Sequence, residues 1–574
     1  MKHGLAVVLG LALLAHGAGL RNGFVYDDHR FVLENRALST ASVSELVLDP
    51  AVQTSDEDRD IYRPLRALGF AFDARRWGAE PFGFHLHSII AHLLAVAVAF
   101  ACLRRLVPSE TDAPALLGAA MLALHPVGVE AVGWITSRGD VYALGLAMGA
   151  LWAATLSESP DCSRRRRIGL DAATVLLALL ATMGKESALW LPAVAASRIL
   201  LLRTGRWAGV FALGLGVAAA MLLRQWALSN LSPVQTTPHG GSWFSQVGWA
   251  LYGTGRTLGS LALPTDLSVD YAQHGWIAGG PVWFRLPTLA AIAVVGLVVG
   301  LRRRAPLAAF ALAWMLLAYL PSSSLLVTLR SLVNDRAAYP MLPALGILVA
   351  LPLGARRGAL RVALLGLAVL LVPLSIQRTG VFLDDRTLWL DVVEKQPLSM
   401  RAYLGLAATV PDHDPDAREE LLRTAVAAAP TGTLLEGIAR SRLGDFLLGV
   451  RHAPDRAMPE LIRALDVMRH RRERPRPGAE EAVTAAALAE AMVLVGQYER
   501  SDALLAQVLS EQPGLLMLHV KRGALGLLRH ERTSDPAALD AVQTAVDDAS
   551  AVQPDHALVQ ALAQRLAERR AKGN

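Results

Sequence analysis

Up to about residue 380 the chain alternates between apolar runs and short polar connections, and this pattern predicts a membrane bundle. A run of about 20 apolar residues spans a bilayer as a helix, because lipid offers no partner to exposed backbone groups. On this measure we predict an all-α fold with about eleven spans. They lie near residues 4–20, 85–106, 112–127, 140–157, 168–184, 187–202, 208–226, 285–301, 305–320, 337–354 and 359–376.

Two stretches need separate interpretation. Residues 4–20 follow Lys2 and also have the shape of a cleaved signal peptide, which would leave the later topology unchanged. Residues 245–263 are amphipathic and interrupted by glycines. We predict an interfacial or re-entrant helix pair there, because a full crossing would invert the charge pattern of the later connections.

The positions of the basic residues predict the orientation of the bundle. Arginines gather in alternate connections, such as Arg164–Arg167, and the positive-inside rule assigns these connections to the cytoplasm. The connections 21–84 and 227–284, together with the whole tail, then lie outside the cytoplasm. We therefore predict a membrane domain over 1–378 and an extracytoplasmic domain over 379–574.

After about residue 380 the pattern changes to amphipathic helices separated by prolines. The clearest unit pairs a helix over 482–495 with another over 500–511. Pro397 and Pro430 lie 33 residues apart, close to the 34 residues of a tetratricopeptide repeat. Such pairs bury their apolar faces by stacking on one another. We predict a tetratricopeptide-like array that binds an extended partner, with an irregular helical bundle as the alternative because the period drifts.

Composition narrows the class of protein. Apolar residues make up 53% of the chain and charged residues 18%, with a mean hydropathy of +0.36. These values exclude intrinsic disorder and a single water-soluble core. The two cysteines, Cys102 and Cys162, lie too far apart for a disulfide framework or a cysteine-based zinc site. The net charge of +6 lies in the clusters that membrane topology requires, so we predict no nucleic-acid partner.

Ionisable side chains near the outer ends of the predicted spans are the candidates for chemistry, because such groups are costly at membrane depth. Asp27 and Asp28 open the first outer connection, and Arg63 follows in the same connection. The predicted topology brings the other candidates to the same face of the membrane. They are His85, His87, His92, Glu130, Arg138, Asp140, Lys185, Glu186, Asp335, Arg336 and Tyr339.

These residue types have the chemistry for a sugar transfer. A glycosyl donor carried on a polyprenyl phosphate leaves as a phosphate monoester, which requires cationic stabilisation and not protonation. The attacking hydroxyl requires a carboxylate within hydrogen-bonding distance. An aspartate with arginine and lysine at one membrane face is therefore sufficient for an inverting transfer.

Each of these signals also has a structural interpretation. Aspartates after a span can be a solvated helix exit, and arginines or lysines near an interface can extend towards lipid headgroups. Glu130, Arg138 and Asp140 can form a structural ion-pair network. The three histidines at the second span suggest zinc, but their spacing is loose for metal ligands, so we predict no metal and no resident cofactor.

At these positions the chain resembles the transmembrane and tetratricopeptide repeat-containing (TMTC-type) O-mannosyltransferases and their bacterial relatives. The motifs occur in the same order over most of residues 20–430. They are Phe24-Val25-Tyr26-Asp27-Asp28 with Asn35, Tyr62-Arg63-Pro64-Leu65, His85 to His92, His125-Pro126-Val127 with Glu130, Ser137-Arg138-Gly139-Asp140, Gly184-Lys185-Glu186, Leu263 to Tyr271, Pro321 to Ser324 with Asp335, Arg336 and Tyr339, and Trp389 before Pro397.

The resemblance implies a GT-C glycosyltransferase fold, a polyprenyl- or dolichyl-phosphate sugar donor and an active site outside the cytoplasm. It also implies that the repeat array faces the same compartment. In GT-C enzymes the acidic residue of the first outer loop is the usual base, and this role carries onto Asp27 or Asp28.

We therefore predict a bacterial inner-membrane glycosyltransferase, with its C-terminal domain in the periplasm. It moves a mannose-like sugar from a polyprenyl phosphate to a hydroxyl, as in Ser or Thr of an envelope protein docked on the tail. Asp28 is the predicted base, with Asp27 supporting it or exchanging roles. The predicted phosphate ligands are Arg63, Arg138, Lys185 and Arg336, and the predicted substrate-positioning residues are His85, His92, Glu130, Asp140, Glu186 and Tyr339.

Two other classes of function stay open at this point. The chain can be a non-catalytic membrane scaffold or transporter whose tail recruits envelope proteins, although its charges gather at one face and not at the midplane. It can also be a GT-C enzyme that glycosylates a lipid or a polysaccharide. The sequence leaves the sugar, the acceptor and the oligomeric state undetermined.

Overall fold

The computed structural model describes residues 2–53, 61–229, 238–273, 277, 281–353, 356–470 and 478–573, and these ranges contain helices and no strands. The all-α prediction is thereby confirmed for the described residues. The chain divides into two compact units, a first that continues to Gln396 and a second that begins at Pro397. The predicted boundary at residue 378 falls inside the helix Arg357–Gly380, so the first unit extends further than the sequence pattern indicated.

The α-helices of the first unit are numbered in chain order. They are α1 (Lys2–His16), α2 (Ala37–Thr40), α3 (Val43–Leu48), α4 (Pro64–Trp77), α5 (Pro81–Leu106), α6 (Ala113–Leu124), α7 (Val129–Gly133), α8 (Arg138–Ser157), α9 (Arg164–Gly184), α10 (Leu191–Leu202), α11 (Trp207–Ala227), α12 (Trp243–Ala262), α13 (Leu286–Leu301), α14 (Pro306–Tyr319), α15 (Leu342–Ala350), α16 (Arg357–Gly380) and α17 (Asp385–Lys395). Short segments connect them, including a π-helical turn over His29–Leu33 and a 3-10 helix over Asp335–Met341.

Seven helical stretches among the described residues are long and apolar enough to cross a membrane, so the first unit is a multi-pass bundle. They are His3–Arg21, Pro81–Leu106, Ile135–Ser157, Arg164–Gly184, Trp207–Ala227, Asp335–Leu353 and Gly358–Gly380. An eighth candidate, α6 with Pro126–Gly133, is bent by 54° at Pro126, which interrupts the backbone hydrogen bonds.

Three of the predicted spans form shorter helices than the sequence pattern indicated. All eleven apolar runs form helices, but those near 187–202, 285–301 and 305–320 form helices of only 12, 16 and 14 residues. A bilayer requires about 20 residues. Apolar composition located these helices correctly, whereas the turns and prolines that shorten them were not evident from hydropathy.

The amphipathic stretch predicted as a helix pair is one continuous helix, α12, of 20 residues. The glycines within α12 do not break the helix. They instead allow neighbouring segments to approach it closely. A Cβ atom on Gly255 would lie only 1.8 Å from the carbonyl oxygen of Pro287, at the start of α13. One side of α12 is nevertheless exposed and aromatic, with Trp243 and Phe244 accessible, as is typical of a helix at a membrane surface.

Tight packing of small residues holds the bundle together. Helix α8 packs between α5 and α9, and α15 packs against α6. At the second contact a Cβ atom on Gly346 would lie 2.3 Å from the carbonyl oxygen of Leu117. Without a hydrophobic driving force in lipid, such backbone proximity supplies the van der Waals contact that joins membrane helices. This packing fixes the helix ends, and the loops between them, at which the charged residues lie.

The second unit consists of helices that pair along the chain. They are α18 (Met400–Thr409), α19 (Pro415–Ala428), α20 (Leu434–Gly449), α21 (Pro454–His470), α22 (Ala479–Leu494), α23 (Tyr498–Glu511), α24 (Leu516–Thr533), α25 (Ala537–Val552) and α26 (Ala557–Gly573). The predicted pair over 482–511 is confirmed as α22 and α23, which turn at Gly496 with a φ of +83°. Helices α18 and α19 lie within the interval from Pro397 to Pro430, so the tetratricopeptide-like organisation is confirmed as well.

Candidate active site

Two ion pairs form where the C-terminal end of α9 meets α4 and α8. Arg63, which precedes α4, donates from Nε and Nη2 to the two carboxylate oxygens of Glu186, at 2.9 and 2.5 Å. Lys185 Nζ donates to Asp140 Oδ2 at 2.6 Å. The adjacent residues Lys185 and Glu186 thus connect three helix ends that are far apart in sequence.

A third ion pair joins the segment before α15 to α7. The Arg336 guanidinium pairs with Glu130, and the Arg336 backbone N–H donates to Glu130 Oε2 at 3.3 Å. The same guanidinium lies over the ring of Trp134, with its carbon 4.9 Å from the ring centroid. Arg336 is therefore held in one orientation by a carboxylate on one side and an aromatic face on the other.

The cations of these pairs are more accessible than most of the carboxylates that hold them. The side chains of Arg63, Lys185 and Arg336 are 20%, 15% and 24% exposed. Those of Asp140 and Glu130 are 5% and 1% exposed. Each of the three cationic side chains therefore keeps some exposed surface, whereas Asp140 and Glu130 are buried.

The three cations act on one another electrostatically. Burial lowers the pKa of Lys185; Asp140 opposes this shift, while the positive charges of Arg336 and Arg63 reinforce it. Burial acts against ionisation of Arg63 too, but the carboxylates of Glu186 and Asp140 raise its pKa. The three cationic groups therefore act on one another, and each is balanced by a carboxylate partner.

Asp27 is half-buried and interacts electrostatically with the arginines of this region. Its carboxylate attracts Arg63, Arg66 and Arg336. The structure thus brings together seven of the residues that the sequence singled out, and we refer to them as the charge cluster. They are Asp27, Arg63, Glu130, Asp140, Lys185, Glu186 and Arg336.

Asp28 occupies a different environment from its neighbour. It is fully buried and accepts hydrogen bonds from Thr136 N at 2.8 Å, Thr136 Oγ1 at 2.5 Å and Val25 N at 3.2 Å. Burial raises its pKa from 3.8 to about 7, even though these hydrogen bonds favour the charged form. A carboxylate enclosed by three donors cannot reach an acceptor hydroxyl, so the structure favours Asp27 over the predicted Asp28 as a base.

The buried Asp28 makes stability depend on pH. Since folding raises this pKa, the folded chain binds a proton more tightly than the unfolded chain, and stability falls as the pH rises from 3.8 towards 7. Asp28→Asn resembles the protonated acid and removes this dependence. In thermal unfolding measured at a series of pH values, we expect the melting temperature of the wild type minus that of Asp28→Asn to decrease as the pH rises from 3.8 to about 7. A difference that is constant with pH would contradict the assignment.

Arg138, a predicted phosphate ligand, lies inside the protein with no exposed surface. Its guanidinium pairs with Asp73 and donates to Ser88 Oγ at 2.9 Å and to Phe84 O at 2.6 Å. His87 Nδ1 binds the other oxygen of Asp73 at 2.8 Å. These contacts engage the arginine in joining α4, α5 and α8, so we no longer assign it to phosphate binding.

Three residues predicted to position substrate are also enclosed. His85, His92 and Tyr339 are at most 1% exposed. His85 Nε2 contacts Gly23 O at 3.2 Å, and His92 Nδ1 contacts the Tyr339 hydroxyl at 2.7 Å. They join the second span to the first outer loop and to the segment before α15, which positions the charge cluster indirectly.

Two residues near Asp27 were not indicated by the sequence. Arg66 is 2% exposed, and its guanidinium carbon lies 4.9 Å from the ring centroid of Phe31. Asp385 contacts the loop that contains Asp27, as described below. Arg66 lies three positions after Arg63, in the first turn of α4, and this short spacing was the available signal for Arg66. Within the described ranges no group of three or more His, Cys, Asp or Glu side chains is arranged to hold a metal ion.

Comparisons with known proteins bear out the resemblance to TMTC-type O-mannosyltransferases. No family model matches the chain. Over 192 residues it is 30% identical to the protein O-mannosyl-transferase Tmtc1 of Drosophila melanogaster, a match that covers 32% of this chain and 21% of that protein. Over 435 residues it is 21% identical to a protein O-mannosyl-transferase of Caenorhabditis elegans, covering 71% of this chain and 60% of that protein. The chain thus spans less than two thirds of these relatives.

Two solved structures were also found to be similar. ArnT from Cupriavidus metallidurans, bound to undecaprenyl phosphate, is 16% identical with a TM-score of 0.38, and the match covers 89% of this chain and 80% of ArnT. YrrB, a TPR protein with an unusual peptide-binding site, is 18% identical with a TM-score of 0.24, covering 33% of this chain and 83% of YrrB. Scores of this size define no residue correspondences.

Proposed function

We propose that this chain is a membrane glycosyltransferase that moves a mannose-like sugar from a polyprenyl phosphate to a hydroxyl group. One observation carries the proposal: the partly exposed side chains of Arg63, Lys185 and Arg336 act on one another electrostatically, and the carboxylate of Asp27 attracts Arg63 and Arg336. Curated relatives that are protein O-mannosyl-transferases support the same class of reaction.

The three cations would bind the phosphate of the lipid donor. When the bond between the anomeric carbon and the phosphate oxygen breaks, the departing polyprenyl phosphate gains a second negative charge. Fixed cations stabilise that charge at no cost of reorganisation, because Glu130 and Asp140 already hold Arg336 and Lys185 in position. Arg63 is free to exchange one oxygen of the half-exposed Glu186 for a phosphate oxygen.

Asp27 would act as the general base. The acceptor hydroxyl oxygen attacks the anomeric carbon from the side opposite the phosphate, and its proton passes to the Asp27 carboxylate. One bond forms as the other breaks, so the anomeric configuration inverts. A half-buried carboxylate suits this role because substrate can reach it, whereas Asp28 is fully buried and enclosed by the donors of Thr136 and Val25.

The sequence and the relatives support a side of the membrane and an acceptor for this proposed reaction. The arginine-rich connections predict that the charge cluster faces away from the cytoplasm, where a lipid-linked sugar would lie just above the bilayer. The helical repeats of the second unit are suited to presenting an extended acceptor. We propose Ser or Thr of an envelope protein as the acceptor, in a bacterial inner membrane, with a lipid or polysaccharide as the alternative.

Reconstitution tests this proposal. The purified chain in lipid nanodiscs receives polyprenyl-phosphate [14C]mannose and a Ser/Thr-rich peptide, and peptide-bound radioactivity is measured. We expect transfer that polyprenyl phosphate inhibits and that polyprenol of the same length does not, because the cations recognise the phosphate. Transfer to lipid or polysaccharide but not to peptide would show that the proposed protein acceptor is wrong and that the alternative acceptor is correct. Inhibition by polyprenol equal to that by the phosphate, or no transfer from any polyprenyl-phosphate sugar, would contradict the proposal.

A further inference from the structure

Helix α17, which follows the last membrane helix, contacts the loop that contains Asp27. Asp385, its first residue, accepts a hydrogen bond from the backbone N–H of Tyr26 at 2.7 Å through Oδ1. Its Oδ2 contacts His29 Nε2 at 2.6 Å. One carboxylate thus bonds to both sides of Asp27 and Asp28, although these residues lie more than 350 positions away in the chain.

The loop needs this support because its backbone is strained. Tyr26 has a φ of +52°, a left-handed conformation that residues with a Cβ rarely adopt. Such a conformation costs on the order of 1–3 kcal/mol and persists where surrounding contacts over-determine it. The bond from the Tyr26 amide to Asp385 is one of these contacts, and it fixes the peptide group that leads directly into Asp27.

Aromatic contacts reinforce the same arrangement. Trp389, one turn after Asp385, is 3% exposed and meets the Tyr26 ring edge to face, with centroids 4.9 Å apart. On its other side Tyr26 stacks on Trp134 at 5.6 Å, the same indole that lies under Arg336. The Tyr26 side chain is therefore held between α17 and the segment after α7, next to the charge cluster.

We infer that Asp385 is a positioning residue that holds Asp27 in place for the transfer. This inference rests on the proposed function. The Asp385 carboxylate contacts Tyr26 and His29 at once, and its place at the start of α17 favours the negative charge. The bond to Asp385 also raises the pKa of His29, which burial opposes.

Helix α17 belongs to the first unit, which contains the charge cluster. Residues 385–395 were expected in the tail, but they lie in the first unit and support its candidate base. A chain that ends after α16 would retain every member of the charge cluster and would lack the contact that fixes Asp27. The contacts of Asp385 involve none of Arg63, Lys185 and Arg336, so its loss should affect turnover and not binding of the lipid donor.

The test compares Asp385→Ala, Asp385→Asn and Asp384→Asn in the transfer assay described above. Asp384 is exposed and caps α17 through the Thr387 N–H, so Asp384→Asn is a matched control that leaves the loop untouched. We expect Asp385→Ala to lower kcat by about 10²-fold, since displacement of a reacting group by about 1 Å costs that much. The KM for the lipid donor should change less than about twofold. Asp385→Asn should recover most of the activity, because its amide oxygen still accepts from Tyr26.

Hydrogen exchange of the Tyr26 amide provides a second measurement, which also applies if Asp385→Ala is recovered in low yield. We expect faster exchange in Asp385→Ala and near wild-type exchange in Asp385→Asn. An active wild type with unchanged kcat in Asp385→Ala, or a loss expressed as a raised KM, would overturn the inference and leave the proposed function standing. An inactive wild type would instead contradict the proposed function.

Discussion

Replacing Asp27 by Asn should lower kcat for sugar transfer by about 10³-fold, which is within the range that a general base contributes. The amide has nearly the shape of the carboxylate but cannot accept the proton of the attacking hydroxyl. Because Arg63, Lys185 and Arg336 keep their carboxylate partners Glu186, Asp140 and Glu130, the KM for the lipid donor should stay within about twofold. Initial rates in nanodiscs over a series of donor concentrations measure both constants.

The adjacent Asp28 provides the control for this substitution. Asp28→Asn retains the oxygen that accepts from Thr136 and loses the acceptor for the Val25 N–H. Its effect should therefore be on the yield and stability of folded protein, because a buried donor left without its acceptor costs about 1–3 kcal/mol of folding free energy. We expect kcat per folded molecule to fall less than about tenfold, because Asp28 does not take part in the transfer. Wild-type turnover in Asp27→Asn, or a larger loss in Asp28→Asn, would contradict the assignment of the base.

Removing the Arg336 cation is expected to have the second largest effect. The double variant Arg336→Gln with Glu130→Gln removes the ion pair without leaving Glu130, which is 1% exposed, as an uncompensated buried charge. We expect kcat/KM for the lipid donor to fall by about 10²–10³-fold, the cost of losing one group that stabilises a developing anion. Inhibition by polyprenyl phosphate should weaken in parallel, because product and transition state share the phosphate.

A matched ion pair elsewhere in the bundle separates chemistry from packing. Arg198 donates to Glu158 at 2.9 Å, and their side chains are 9% and 19% exposed, so this pair has burial similar to that of the cluster. Arg198→Gln with Glu158→Gln should leave kcat/KM within about twofold after correction for folded protein, because surface and partly buried pairs act locally. Equal losses in the two double variants would indicate a structural role for Arg336 and Glu130.

The convergence of the charge cluster could be predicted from the sequence, since it depends on topology alone. Apolar runs define helix ends, arginine-rich connections define the sides, and charged residues at the other ends must then share one face. Asp27, Lys185 and Arg336 meet for this reason despite their separation along the chain. The roles within the set could not be predicted in the same way, because Asp27 and Asp28 are chemically identical in sequence and differ in burial and hydrogen bonding.

The features that the sequence missed depend on long-range packing. The glycines of α12 suggested a break, whereas Gly255 serves the close approach of Pro287. Arg138 stands in a motif with Asp140, yet the two residues lie two positions apart in the first turn of α8 and so face different partners, Asp73 and Lys185. Asp385 lies beyond the last membrane helix in a segment that reads as a repeat helix, and only the folded chain returns it to the first outer loop.

The central claim is that Arg63, Lys185 and Arg336 bind the phosphate of the lipid donor beside Asp27. The most direct measurement is an electron cryomicroscopy structure of the protein in nanodiscs with bound polyprenyl phosphate. The account predicts phosphate oxygens within about 3 Å of nitrogen atoms of these three side chains, the distance of charge-assisted hydrogen bonds. Density for the phosphate at the opposite ends of the helices, near Arg164–Arg167, or anywhere out of reach of all three cations, would contradict it.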